Sequence, residues 1–169
     1  GGGFGGLAAA HGLRKGLASD HKITLVDRQP MFMMGLTKLW LLDGSRKPGE
    51  NAGNRTQLVK FGIDFLEGEV TAIDIANEEV RVGKQKLGYD YLIIATGSVP
   101  DPDAIPGLKE ASLNFHTSPE ESRKIWNAIQ QFEGGHVIVG IAGVPHKCPP
   151  SPNEATFLID DYFRERGVR

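Results

Sequence analysis

The chain has 169 residues, of which 40% are hydrophobic and 24% charged, with a formal net charge of −2. So even a balance excludes a nucleic-acid binder, which needs a basic face to offset phosphate. The longest apolar stretches, "LIIATG" and "HVIVGIAG", are strand-sized and fall short of the ~20 apolar residues that span a bilayer.

The N-terminus opens directly on "GGGFGGLAAA", where Gly1, Gly3 and Gly6 form G-x-G-x-x-G. A helix is predicted from about Leu7 to Lys15, with Gly16 as its C-cap. "KITLVDR" then reads as a buried strand ending in Asp27. The three glycines have separate tasks: a tight turn, close approach of backbone amides to a pyrophosphate, and close packing of the helix on the sheet. The helix N-terminus offers unpaired N–H groups to the phosphates. Asp27 lies at the strand end, where a carboxylate accepts hydrogen bonds from ribose hydroxyls. Phe4, inside the fingerprint, and Arg28, beside the acid, join these residues as cofactor-binding candidates.

Residues 29–54 read as irregular, with apolar patches at "MFMMGL" and "LWLL". A short helix from about Thr56 to Phe61 leads into "IDFLEGEV". The alternation in "EVTAIDIANEEVRV" and the apolar run in "LGYDYLIIATG" predict an antiparallel meander returning to a central strand. "SVPDPDAIPG" is the best candidate for a domain boundary. Beyond it come a packing helix ("SPEESRKIWNAIQQF"), a buried strand ("HVIVGIA"), a proline-rich turn and a last helix. Ser151 is placed as the N-cap of that helix, Pro152 at its first position and Glu154 at the capping-box position.

The G-x-G-x-x-G turn alone does not choose between FAD and NAD. "YDYLIIATGSVP" does, because here the chain resembles the pyridine nucleotide–disulfide oxidoreductase superfamily of flavoproteins. In that family an A-T-G turn closes over FAD, and Ala95, Thr96 and Gly97 match it. Val70, in "EGEVTAID", matches a position whose backbone reaches the adenine side. Asp27 stands where glutamate is commoner. The resemblance implies an α/β fold: a Rossmann-like, three-layer FAD-binding domain with an antiparallel β-meander, and the start of a second Rossmann-like domain. The FAD domain is expected over residues 1–111, with its first strand missing, and the degenerate second domain over residues 112–169. On this view the chain is an N-terminal piece of a longer enzyme, with no turnover by itself.

In NADH-using members the second domain repeats the glycine fingerprint. The corresponding stretch here is "VIVGIAGVPHKCPP": Gly140 and Gly143 are present, but Pro145 falls where the helix should open, and the prolines remove amide donors. In place of that site stands Cys148, the sole cysteine. His146 and Lys147 precede it, a helix N-terminus follows, and prolines stiffen the turn; such surroundings favour a thiolate nucleophile. The other reading is a packed turn cysteine without chemistry.

"KCPPSPNEATFLIDDY" resembles the cysteine motif of sulfide:quinone oxidoreductases and of the flavoprotein subunit of flavocytochrome c sulfide dehydrogenase. The resemblance implies that Cys148 lies beside the flavin and works with a second cysteine, which would lie beyond Arg169. It implies sulfide as substrate and a quinone or a cytochrome c subunit as electron acceptor. Peripheral membrane association through C-terminal segments and homo-oligomerisation belong to the same expectation. Some members use an acid at the position of Glu154 in proton handling, although a capping role explains that residue equally well. His116 and His146 lie near the expected site without an assigned role. The rival readings are a type II NADH dehydrogenase-like enzyme and a flavoprotein-derived module without activity.

Overall fold

The computed structural model describes residues 1–168. They form two compact units, each discontinuous in sequence: residues 1–32 with 52–98, and residues 33–51 with the chain from Val99 onward. The segment 33–51, which precedes the meander in sequence, thus belongs to the second unit.

In the first unit, helix α1 (Phe4–Gly16) leads to strand β1 (Thr24–Asp27), which pairs in parallel with β4 (Asp64–Glu67) in the register Thr24↔Asp64 to Asp27↔Glu67. Gly6 and Ala10, four apart on one helical face, are both buried, so α1 packs close to the sheet. Ala10, Ile23, Leu25, Leu58 and Ile63 make the core, with Leu7 and Phe65 packed against it. Gly16 is not the cap. The helix runs through it to an extended Leu17, and Arg14 takes up the loop carbonyls instead, donating to Leu17 at 3.0 Å, to His21 at 2.9 Å and to Ala18. With those acceptors satisfied by a side chain, a left-handed glycine cap is unnecessary.

The short helix preceding β4 is a 3-10 helix over Arg55–Phe61. Asn54 caps it by accepting from the Thr56 amide at 2.9 Å, and Gly62, at φ +70°, ends it in the left-handed conformation. The expected meander forms: β5 (Val70–Asp74), β6 (Glu79–Val82) and β7 (Gln85–Gly88) make a three-stranded antiparallel sheet with Val80 and Val82 buried. The returning strand does not. Residues 91–97 lie outside any sheet, with Tyr91 94% exposed. An apolar run becomes a strand only where a neighbour completes its ladder, and the β1–β4 sheet has two strands.

Strand β2 (Met31–Met33) pairs with β3 (Ala52–Asn54) where the chain leaves the first unit and re-enters it. In the second unit α2 (Lys38–Leu42), α4 (Pro119–Gln131) and α5 (Ser151–Arg166) pack around Leu39, Leu42, Ile129, Ala155 and Ile159. A single turn, α3 (Leu108–Ala111), lies between. Ser118 starts α4 by accepting from the Glu121 amide, with Pro119 in the first turn. Gly167 closes α5 at φ +67°, and the Val168 amide reaches the Phe163 carbonyl at 2.9 Å, a Schellman arrangement. The strand expected at "HVIVGIA" is absent for the same reason as the first, and Ile138 is 90% exposed. Among the described residues no helix is long and apolar enough to cross a membrane.

Candidate functional site

The sequence candidates fall into two sets, one in each compact unit. In the first unit the chain brings Gly1, Asp27 and Ala95–Thr96 to the N-terminus of α1. A Cβ on Gly1 would collide with the Ala95 carbonyl, and one on Gly6 would collide with the Gly1 carbonyl. Only glycine fits at either place. Gly3, the N-cap, has no protein atom within 4 Å of such a Cβ, so packing inside the protein does not demand glycine there. The first turn of α1 has neither a side-chain cap nor an acid, which leaves its amides to other acceptors.

Asp27 ends β1 with its carboxylate engaged on both oxygens. Oδ2 accepts from the Gly2 amide at 2.6 Å and Oδ1 from the Gln29 amide at 3.1 Å. Burial pushes its pKa up, but these two backbone bonds and the nearby Arg55 charge together hold it below the ordinary carboxylate value. Phe4 opens α1 with its ring edge-on to Phe32, centroids 5.2 Å apart. Arg28 is exposed directly after Asp27, and Val70 begins β5 opposite Val82. Gly97, at φ +71°, turns the chain after Thr96.

Sequence reasoning missed Arg55. Its side chain is 7% exposed, and its guanidinium bonds the carbonyls of Gly2 at 2.8 Å, Gln29 at 2.7 Å and Met31 at 2.6 Å. In "AGNRTQLV" nothing marks that arginine as buried, because all its partners come from 24 or more residues away.

In the second unit Cys148 is a half-buried free thiol in the turn before α5. Ser151 is not the N-cap. Pro150 holds that position, and Ser151 is the first helical residue, 1% exposed. Its hydroxyl faces away from the helix end, donating to the Cys148 carbonyl at 2.9 Å and lying 2.8 Å from His116 Nε2. Since the one hydroxyl hydrogen serves the carbonyl, His116 Nε2–H donates to Ser151. Glu154 makes no capping box. It is exposed, and only its amide takes part, donating to the Pro150 carbonyl at 3.0 Å.

Positive groups crowd this turn. Lys38 donates to the His116 carbonyl at 2.7 Å. Burial lowers the pKa of His116, reinforced by the charges of Lys38, Lys147 and His146. Burial, then Lys147, lowers that of Lys38 against an opposing pull from Glu120. His146 Nε2 is buried without a partner. The second glycine turn makes no helix start: Gly140 and Gly143 are exposed, and α5 begins only at Ser151.

Residues 1–144 match the family model of the pyridine nucleotide-disulphide oxidoreductases. Among curated proteins, the sulfide-quinone reductase of Aquifex aeolicus is 33% identical, a match covering 100% of this chain and 39% of that protein. The type II NADH:quinone oxidoreductase of Staphylococcus epidermidis is 29% identical over 85% of this chain and 39% of its own length. Among solved structures, the sulfide:quinone oxidoreductase of Aquifex aeolicus aligns with a TM-score of 0.70 at 31% identity, covering 78% of this chain and 30% of that one. The chain spans about two-fifths of the length of the curated relatives it matches. Its Rossmann-like α/β fold is consistent with an FAD-binding domain, and the chain belongs to the pyridine nucleotide-disulphide oxidoreductase family.

Proposed function

We propose that the protein is an FAD-dependent oxidoreductase that oxidises sulfide and delivers the electrons to a quinone. The reading is carried by the likeness along the whole chain to sulfide:quinone oxidoreductases, at 33% identity with the Aquifex aeolicus protein. The residues present fit FAD. Uncapped first-turn amides and the open space at Gly3 suit a pyrophosphate, and an ionised Asp27 suits the ribose hydroxyls. Gly1, Gly3, Phe4, Gly6, Asp27 and Arg28 hold the ADP half. Val70 would serve the adenine side, and Ala95, Thr96 and Gly97 the flavin side. Bound FAD supplies the two-electron relay.

Cys148 acts as a thiolate. Joining its sulfur to that of a hydrosulfide ion as a persulfide is a two-electron oxidation, RS⁻ + HS⁻ → RSS⁻ + H⁺ + 2e⁻, for which the quinone is the terminal oxidant and FAD would supply the relay. The S–H proton leaves toward Glu154 or water. The electron pair reduces the quinone, which takes up that proton and one more from solvent to become the quinol. His116 and Ser151 hold the turn from which the thiol works, through the Ser151 bond to the Cys148 carbonyl.

Sulfide added anaerobically to the full-length protein is expected to raise a long-wavelength thiolate–flavin band, which Cys148→Ser abolishes. A band that survives the substitution removes Cys148 from the chemistry. A second reading, NADH:quinone oxidoreduction, draws on the likeness to the Staphylococcus epidermidis protein. Against it stands the late start of α5, which leaves no helix N-terminus behind Gly143 to receive a second pyrophosphate. Bleaching of the bound flavin by NADH would favour that reading.

A further inference from the structure

We propose that Arg55 is a positioning residue for the dinucleotide: it braces the glycine turn against the Asp27 loop and so fixes both groups that grip the adenosine half of FAD. The inference rests on the FAD reading above.

A guanidinium taken out of water needs acceptors for its fork of N–H donors. Here the acceptors are backbone carbonyls from two separate loops. Nε bonds Gly2 at 2.8 Å, and Nη1 bonds Gln29 at 2.7 Å and Met31 at 2.6 Å. The Arg55 amide adds a bond to the Pro30 carbonyl at 2.7 Å. The loop that follows Asp27 is therefore tied to Arg55 through both main chain and side chain.

The same loop and the glycine turn are joined from the other side. Asp27 Oδ2 accepts from the Gly2 amide at 2.6 Å, while Oδ1 stands 3.7 Å from Arg55 Nη1. Gly2 is thus held at both its polar ends, the N–H by Asp27 and the C=O by Arg55. The fit is tight: a Cβ on Gly2 would lie 2.5 Å from Arg55 Nε. Phe32 closes one side, with the guanidinium carbon 5.4 Å from its ring centroid, and Phe32 in turn meets Phe4 at the start of α1.

Two consequences follow for a bound dinucleotide. The Arg55 charge helps to keep Asp27 ionised against its burial, so its remaining lone pairs stay available to ribose hydroxyls. The three carbonyl bonds fix where the glycine turn presents its amides. Arg55 does both through its contacts with Asp27 and with the carbonyls of Gly2, Gln29 and Met31.

The test uses the full-length protein, stripped of flavin and titrated with FAD under conditions where every variant is folded by circular dichroism. Arg55→Met is expected to weaken FAD binding about 10- to 100-fold, the cost of breaking a buried, charged hydrogen-bond network. Arg55→Lys, which keeps the charge but cannot span three carbonyls, is expected to recover only part of that loss. With Arg55→Ala, guanidinium at low millimolar concentration is expected to restore part of the affinity. The double variant Arg55→Met/Asp27→Asn is expected to bind FAD no more weakly than the worse single variant. Wild-type affinity in Arg55→Met, or in Arg55→Lys should the methionine variant not fold, overturns the proposal. So do independent, additive losses at positions 27 and 55. If the wild-type protein takes up no FAD, the FAD reading fails and this inference with it; if it binds FAD and Arg55→Met binds as well, only the role of Arg55 falls.

Discussion

Around Cys148 the individual side chains trade charge against burial. His116 donates through Nε2 to Ser151, and its ring is faced by Lys38, Lys147 and His146, three groups that oppose a further positive charge. Burial first, and then these charges, hold its folded pKa below 6.5, the ordinary value. A histidine with a lowered folded pKa contributes stability that is fully present above the unfolded pKa. That contribution is lost as pH falls, because the unfolded chain gains the proton first. The melting temperature is thus expected to fall between about pH 7 and pH 5, and His116→Gln is expected to flatten that slope. An unchanged slope in the variant would mean that His116 does not carry the dependence. Asp27, lowered in the same direction, acts in a more acidic window, losing its contribution only below the usual carboxylate range.

Within helix α1, glycines that look alike in sequence differ in their surroundings. Gly6 is pinned by the Gly1 carbonyl and is part of the helix–sheet contact. A Cβ on Gly12, exposed in the same helix, would meet nothing within 4 Å. Gly12→Ala is therefore expected to stabilise the protein by about 0.5–1 kcal/mol through helix propensity alone, read by denaturant unfolding. Gly3 separates stability from binding. Gly3→Ala has room in the fold, so the unfolding midpoint is expected to stay within about 1 kcal/mol of wild type while FAD affinity falls. Equal FAD affinity in Gly3→Ala would remove that glycine from the phosphate cradle. Helix α5 carries a comparable distinction. Its start signal is legible in "PPSPNE", yet the serine that looks like a cap is turned to His116 and Cys148 while Pro150 takes the cap position.

Among the described residues, the two apolar stretches that read as strands beyond the meander carry strongly exposed side chains in or beside them. Tyr91 is 94% exposed, Ile138 90% and Val144 84%, all outside helix and sheet. Brief chymotrypsin treatment of this 169-residue chain is expected to cut after Tyr91 before it cuts inside the helices or the β5–β7 meander, as read by mass spectrometry. Protection of Tyr91 would mean that the segment is paired in a sheet. Both stretches have β-branched composition, but backbone hydrogen bonds between strands are made with another part of the chain, and composition carries no information about whether that part is present.

The sequence by itself determined the elements whose stabilising contacts are local: helices α1 and α4, the β5–β7 meander with its polar turns, and the glycine turn with Asp27 at the next strand end. Caps, turns and alternating burial act between residues a few positions apart, so they can be read in a linear string. Tertiary structure alone decided what depends on distant partners. Arg55 reaches back 53 residues to Gly2, Lys38 reaches forward 78 to the His116 carbonyl, and His116 reaches 35 to Ser151. A buried polar side chain is defined by the acceptors that enclose it, and here those acceptors come from parts of the chain that meet only when it folds.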